Sequence, residues 1–175
     1  MQYRIKPSHR RTIGLYITAQ GTVEVRCPMH MTAAQIDAFV KSKENWIKKH
    51  LHPPVTDKLT VQEVKELADR ALADIPERVR HFAPIAGVTY GRITIRNQKT
   101  RWGSCSTKGN LNFNCLLMLA PPEVRDYVVI HELCHRREMN HSDRFWKLVE
   151  TLCPDYKIHR KWLKQNGHNL IARLP

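Results

Sequence analysis

The feature that most constrains this chain is the run His131-Glu132-Leu133-Cys134-His135, which has the form H-E-x-x-H. It lies in a segment whose apolar residues recur at helical spacing, which predicts a helix from about residue 121 to about residue 139. Residues four apart in a helix sit one turn apart and differ by about 40° around the axis. The two imidazoles can therefore reach one metal ion, and Glu132 borders the same site.

A metal site of this kind usually takes a third protein ligand, and two residues are candidates. A continuous helix would carry His141 about 9 Å along the axis beyond His135, so His141 can serve only if the helix ends between them. Met139-Asn140 is a suitable end, because asparagine tolerates the left-handed conformation that closes helices. The alternative ligand is Glu150, which could return on the following helix. We favour His141.

Around the motif, the apolar pattern predicts a chain that mixes helices and strands. Alternation of apolar residues over 2–26 predicts a small antiparallel meander. The polar run 102–109 predicts a loop. Pro76 should kink or stop the helix that contains it. Pro53-Pro54 is the best candidate boundary, which divides the chain into 1–52, a meander plus a helix, and 53–175, which carries the motif. The remaining expected strands are 88–96 and 110–116, and the remaining helices are about 32–50, 60–81, 142–153 and 155–166.

Composition narrows the class of protein. Lys and Arg number 29 against 16 acidic residues, a formal charge of +13, which favours anionic partners but also suits an ordinary solvated surface. No apolar run approaches the roughly 20 residues of a membrane span. The five cysteines are widely spaced and lack a C-x-x-C pair, so reduced thiols are expected. The N-terminus does not read as a secretory signal, and we expect a cytoplasmic protein.

Several segments carry a resemblance to a known family. They are Arg101 to Cys105, strand 110–114, Asp126 to Ile130, Asn140-His141-Ser142 and Phe145-Trp146. With H-E-x-x-H and a histidine six residues later, they resemble the YgjP-like family of predicted zinc metallopeptidases, which is related to the WLM and SprT-like groups of zincins. The resemblance implies an α+β, zincin-like fold, with a small mostly antiparallel sheet, an active-site helix and a helical C-terminus.

The resemblance also implies an activity. A zinc ion held by His131, His135 and His141 would hydrolyse peptide bonds of a peptide or unfolded polypeptide, through a metal-activated water with Glu132 as general base. Arg101 is expected to bind an anionic group or oxyanion, with Trp102 beside it lining the pocket.

Strand 110–114 is expected to present an open edge to an extended peptide, as zincin edge strands do. Main-chain pairing at such an edge gives affinity. Asn112 and Asn114 would then lie near the cleft.

Two other functions stay open at this point. The same site could hydrolyse phosphoanhydrides, with nucleotides as substrates that suit the basic charge. Alternatively, the chain could be a nucleic-acid-associated module whose zinc is structural, although no zinc-finger or helix-turn-helix signature favours this. A histidine-rich site also accepts nickel, cobalt or manganese.

Overall fold

The computed structural model describes residues 2–18, 21–51 and 57–175, which fall into two units, Met1–Thr56 and Asp57–Pro175. The boundary expected at Pro53-Pro54 lies outside the described residues. Both units contain helices and strands in separate runs along the chain, and the chain ends in a helix, so the expected α+β class with a helical C-terminus is confirmed. Among the described residues, no helix combines the length and apolarity that crossing a membrane requires.

The N-terminal unit is built on a three-stranded sheet. Its strands are β1 (Arg4–Ser8), β2 (Gly14–Ile17) and β3 (Val23–Pro28), in the order β1-β3-β2. β3 pairs parallel to β1 and antiparallel to β2, so the expected antiparallel meander is wrong. β3 is the central strand, and its side chains Val23, Val25 and Cys27 are all buried in the core of the unit.

Two helices complete this unit, where one was expected over residues 32–50. They are α1 (Ala33–Ser42) and α2 (Glu44–His50). Thr32 caps α1 in a reciprocal pair of hydrogen bonds with Gln35. The break follows Ser42, whose hydroxyl donates to the Phe39 carbonyl 2.7 Å away, the kind of local bond by which serine competes with a continuing helix.

Four helices enclose the C-terminal unit. They are α3 (Val61–Ala86), α4 (Pro122–Cys134), α5 (Asp143–Leu152) and α6 (Tyr156–Ala172). α3 continues through Pro76 and ends only at Gly87, which adopts the left-handed conformation at φ 64°. The expected stop near residue 81 is therefore wrong, because the buried face that includes Ile75, Val79 and Ala83 outweighs the roughly 3 kcal/mol cost of an internal proline.

A second three-stranded sheet lies beside these helices. Its strands are β4 (Ile93–Arg96), β5 (Gly103–Cys105) and β6 (Leu111–Asn114), in the order β4-β6-β5. β6 is parallel to β4 and antiparallel to β5. Each sheet thus holds one parallel and one antiparallel pair, not the mostly antiparallel pairing expected. The run 102–109, expected as a loop, contains β5, which the short polar residues there did not indicate.

The core of this unit joins β6 to the helices. Leu111 and Phe113 of β6 are fully buried, as are Leu116 and Leu117 of the 3-10 helix Cys115–Leu119 that follows it. They pack with the inner faces of α3 and α4, including Leu133. This packing holds the histidine-bearing end of α4 beside β5.

Candidate metal centre

Helix α4 ends directly at the second histidine of the motif. Its last residue is Cys134 and His135 is the C-cap, after which tight turns join Arg136 N to Leu133 O (2.9 Å) and Arg137 N to Cys134 O (3.0 Å). The expected end at Met139-Asn140 is wrong, and so is the left-handed conformation of Asn140. No described residue other than glycine has a positive φ. The early turn brings the chain back toward the helix end.

The three histidines meet at this turn. One ring nitrogen from each of His131, His135 and His141 lies within 4.8 Å of the others, and His131 Nε2 and His141 Nε2 are 3.0 Å apart. Nitrogens that share a tetrahedral zinc ion at about 2.1 Å lie about 3.4 Å apart, so the spacing fits one ion. Glu150 is not in this group, because its carboxylate is exposed and pairs with Lys157 Nζ at 3.1 Å.

Aromatic rings surround the three imidazoles. The buried Phe145 ring has its centroid 4.5 to 4.8 Å from all three histidine rings. Ser142 starts α5 by accepting a hydrogen bond from Phe145 N, which fixes Phe145 and Trp146 just after His141. Trp146 stacks on His141, with the ring centroids 5.6 Å apart and the planes 23° from parallel. The segment after the third histidine therefore forms the wall behind the cluster.

The protonation of the histidines suits a cation. His135 Nδ1 lies 3.0 Å from the Glu138 carbonyl, to which it can donate, leaving Nε2 as the lone-pair donor. Burial lowers the pKa of His131 to about 3, and its histidine neighbours act in the same direction. Burial also lowers the pKa of His135. Neutral imidazoles are what a metal ion needs, so this donor set fits a divalent cation.

Glu132 lies beside the cluster with its side chain buried. Glu132 is only 5% exposed, and its carboxylate packs against Gly103 of β5. Burial raises the pKa of Glu132 to about 8, while the positive charge of Arg101 acts in the opposite direction. A carboxyl group that titrates near neutral pH can both accept and return a proton.

Two cavities flank this carboxylate. The first, the metal-side cavity, has a volume of about 220 Å³ and is lined by the three histidines, Met139 and all three residues of β5. The second, the Trp102 cavity, has a volume of about 260 Å³ and extends between α4 and α6. Arg101, Gly103, His131 and Glu132 line both. Arg101 lines both cavities and Trp102 lines the second, and their role in binding substrate stays a prediction.

Asn112 and Asn114 lie elsewhere. Strand β6 is the central strand of its sheet, so the expectation that 110–114 offers an open edge is wrong, and the open edge next to the site belongs to β5. Asn114 is fully buried; its amide donates to the carbonyls of Gln98 (2.7 Å) and Arg101 (2.9 Å). Asn112 donates to Ser104 Oγ at 3.2 Å. Neither asparagine is among the described residues that line the two cavities.

Sequence reasoning missed two residues of the site. Gly103 was read as part of a polar loop, although a glycine there is what allows Glu132 to approach β5. Trp146 follows the apolar spacing of α5 and was not named as a site residue, although its ring backs His141. The sequence feature that could have identified Trp146 is its position five residues after His141, in the first turn of α5.

Comparison with known proteins gives three findings. The sequence model of the family described as YgjP-like, metallopeptidase domain, matches residues 11–65 and 52–166. No curated protein matches. The similar crystal structures include the metallopeptidase zymogen of Pyrococcus abyssi abylysin, with 24% identity and a TM-score of 0.49 over 54% of this chain and 97% of that chain. They also include the metallopeptidase zymogen of Methanocaldococcus jannaschii jannalysin, with 20% identity and a TM-score of 0.43 over 53% of this chain and 96% of that chain.

Proposed function

Since the chain belongs to the YgjP-like metallopeptidase family, we propose that it hydrolyses peptide bonds with one zinc ion, which His131, His135 and His141 would hold, and with Glu132 as general base. Family membership makes it a metal-dependent hydrolase whose substrates are peptides. The observation that carries the finer proposal is the placement of a buried carboxylate between two cavities, next to three clustered imidazoles.

The donor set supports zinc as the metal and the three histidines as its ligands. Three imidazole nitrogens at this spacing suit zinc, with nickel, cobalt or manganese as other ions that such a set accepts. A bound zinc ion would supply Lewis-acid chemistry, lowering the pKa of water from about 15.7 towards 7 and polarising the carbonyl of the substrate.

Glu132 would move the proton. Its carboxylate takes a proton from the attacking water and returns it to the amine that leaves, so one residue acts first as base and then as acid. The exposed Arg101 borders both cavities, where its positive charge would stabilise the negative charge that develops on the carbonyl oxygen.

The edge strand β5 would bind the peptide main chain. It is the last strand in the order β4-β6-β5, and Gly103, Ser104 and Cys105 all line the metal-side cavity. An extended peptide that adds to this edge would run past the three histidines. This arrangement supports a peptide in an extended conformation, such as a segment of an unfolded polypeptide.

The two other functions can now be weighed. Arg101 borders the site, and the forked N–H donors of its guanidinium suit a phosphate group. Nucleoside triphosphates therefore remain a second candidate substrate. Structural zinc is disfavoured, because structural sites are closed by four ligands, whereas this one has three clustered histidines that border a cavity.

A parallel assay tests the proposal. Zinc-loaded protein is incubated with unfolded casein and with ATP, and Glu132→Gln and Glu123→Gln are compared with wild type. Glu123 lies exposed in the first turn of the same helix, so Glu123→Gln should leave activity unchanged. Casein cleavage that is lost only in Glu132→Gln supports the proposal. ATP hydrolysis that falls in both Glu132→Gln and Arg101→Ala, without casein cleavage, would establish the second candidate instead.

A further inference from the structure

The residues that line only the Trp102 cavity, and not the metal-side cavity, are mostly apolar. Tyr127 and Val128 of α4 are only 4% and 3% exposed. Trp102 and Leu163, which are half-buried, and the exposed Thr100 complete this set. Such a surface favours an apolar group that enters from the site.

Trp102, which lines this cavity, makes a close contact with α6. A methyl group on Gly167 would lie 3.1 Å from two atoms of the Trp102 indole, so the ring rests directly on the backbone of α6. Leu163 lies one turn earlier on the same helix. The cavity therefore has walls set by packed secondary structure and not by mobile side chains alone.

The size and position of the cavity indicate its occupant. Apolar cavities of roughly 150 Å³ in proteins bind benzene, so about 260 Å³ is ample for a leucine or phenylalanine side chain. His131 and Glu132 line both cavities, so the reacting groups lie between them. A side chain in the Trp102 cavity would belong to a residue next to the bond that is cut.

We propose that the Trp102 cavity binds a large apolar side chain of the substrate, on one of the two residues that flank the scissile bond. The inference rests on the proposed peptidase function and adds the class of substrate: peptides with a residue such as leucine, phenylalanine or methionine at that position. The metal-side cavity, lined by β5 and the histidines, takes the residue on the other side of the bond.

Leu163 is the residue to change, because it is half-buried and contacts the cavity from α6. Leu163→Phe should fill the cavity and Leu163→Ala should enlarge it. Leu152→Ala is the matched control, since Leu152 is also a partly buried leucine packed on the same core but does not line either cavity. Cleavage sites in a peptide library are mapped by mass spectrometry for each zinc-loaded protein.

Wild type and Leu152→Ala should favour large apolar residues at one flanking position by at least about tenfold over alanine. Leu163→Phe should shift this preference to alanine and serine, and Leu163→Ala should extend it to the largest aromatic residues. Cleavage by all four proteins with an unchanged preference would overturn the inference while leaving the peptidase function intact. If Leu163→Phe does not fold, Leu163→Ala alone decides by the same criterion.

A binding measurement separates this inference from the proposed function. Hydroxamates of alanine, leucine and phenylalanine are titrated into zinc-loaded wild type and Leu163→Phe by calorimetry. Tighter binding of the larger side chains to wild type only, by about tenfold, supports the inference even if no peptide is cleaved, in which case the proposed function fails alone. Equal binding of all three to wild type overturns the inference.

Discussion

A methyl group on Gly103 would lie 2.6 Å from Oε1 of Glu132 and 2.7 Å from its Cγ, so the edge strand β5 and the proposed base are in direct contact. Real Cβ atoms do not approach other atoms this closely. Glu132 is only 5% exposed, so a substitution at Gly103 would act directly on a buried carboxylate.

The first prediction concerns this contact. Gly103→Ala should displace the Glu132 carboxylate and lower turnover by about a hundredfold, because a misplacement of about 1 Å costs that much. Metal content should stay at the wild-type level, since the nearest atoms to a methyl group on Gly103 all belong to Glu132 and none to a histidine. Ser104→Ala, a small change at the next residue of β5, is the control and should retain activity. Full activity of Gly103→Ala would show that Glu132 does not need this position.

The second prediction concerns the role of Glu132. Glu132→Gln should keep the metal and the fold but lower peptide turnover by at least about a hundredfold, because the amide cannot accept a proton. Metal content by atomic emission and steady-state peptide cleavage are measured on the same sample. Near-normal cleavage by Glu132→Gln would rule out this residue as the base.

The third prediction concerns pH and the metal-free protein. Burial raises the pKa of Glu132 to about 8, so the folded state holds a proton that the unfolded state has released above its ordinary pKa of 4.5. Its contribution to stability is complete below pH 4.5 and is lost as pH rises to 8. His131 has the opposite effect on the pH dependence of stability. Burial lowers its pKa to about 3, so the contribution of His131 to stability is lost as pH drops from 6.5 towards 3.

Comparison with Glu132→Gln isolates the glutamate. Urea unfolding of metal-free wild type should show stability falling between pH 6.5 and pH 8, whereas Glu132→Gln should lack this decrease. Glu123→Gln should behave as wild type does. The same slope in wild type and Glu132→Gln would mean that Glu132 is already ionised at neutral pH.

The fourth prediction concerns the ligands and the ring behind them. His131→Ala, His135→Ala and His141→Ala should each lose metal on dialysis, and Glu150→Ala should not. Loss of metal from Glu150→Ala but not from His141→Ala would assign the third ligand to Glu150.

Trp146 should affect metal affinity through His141. Trp146 stacks on His141, and its ring is in turn held by Arg160 at 4.4 Å and by stacking on Tyr156 at 5.5 Å. We expect Trp146→Leu to weaken zinc binding by about five- to tenfold, the worth of an aromatic pair, and Trp146→Phe to weaken it less. Competition with a chromophoric chelator measures this. Unchanged affinity in Trp146→Leu would show that His141 is oriented without the ring.

The fifth prediction concerns Asn114, which the sequence suggested as a substrate contact. Its side chain satisfies the carbonyls of Gln98 and Arg101 and the amide of Leu116 inside the protein. Asn114→Ala should therefore lower the free energy of unfolding by roughly 2 to 4 kcal/mol, because buried polar groups lose their partners. Asn112→Ala, at a partly exposed site, should cost less than about 1 kcal/mol. A stable Asn114→Ala with weakened peptide binding would contradict this role.

The sequence alone determined the local geometry of the site. Two histidines four residues apart in a helix share a face whatever surrounds them, and a glutamate between them must border that face. The N-caps Thr32 and Ser142 likewise depend on a few adjacent residues. These features involve contacts of short range along the chain.

Only the tertiary structure decided which strand is exposed and what touches the base. The apolar alternation of 111–114 is the same for a central strand as for an edge strand, so the sequence could not place β6 inside the sheet and β5 at its edge. The short, polar Gly103–Cys105 becomes a strand only because β6 pairs with it. The Gly103–Glu132 contact and the cavity between Trp102 and Leu163 join residues far apart in the chain, and such contacts depend on packing that no local pattern encodes.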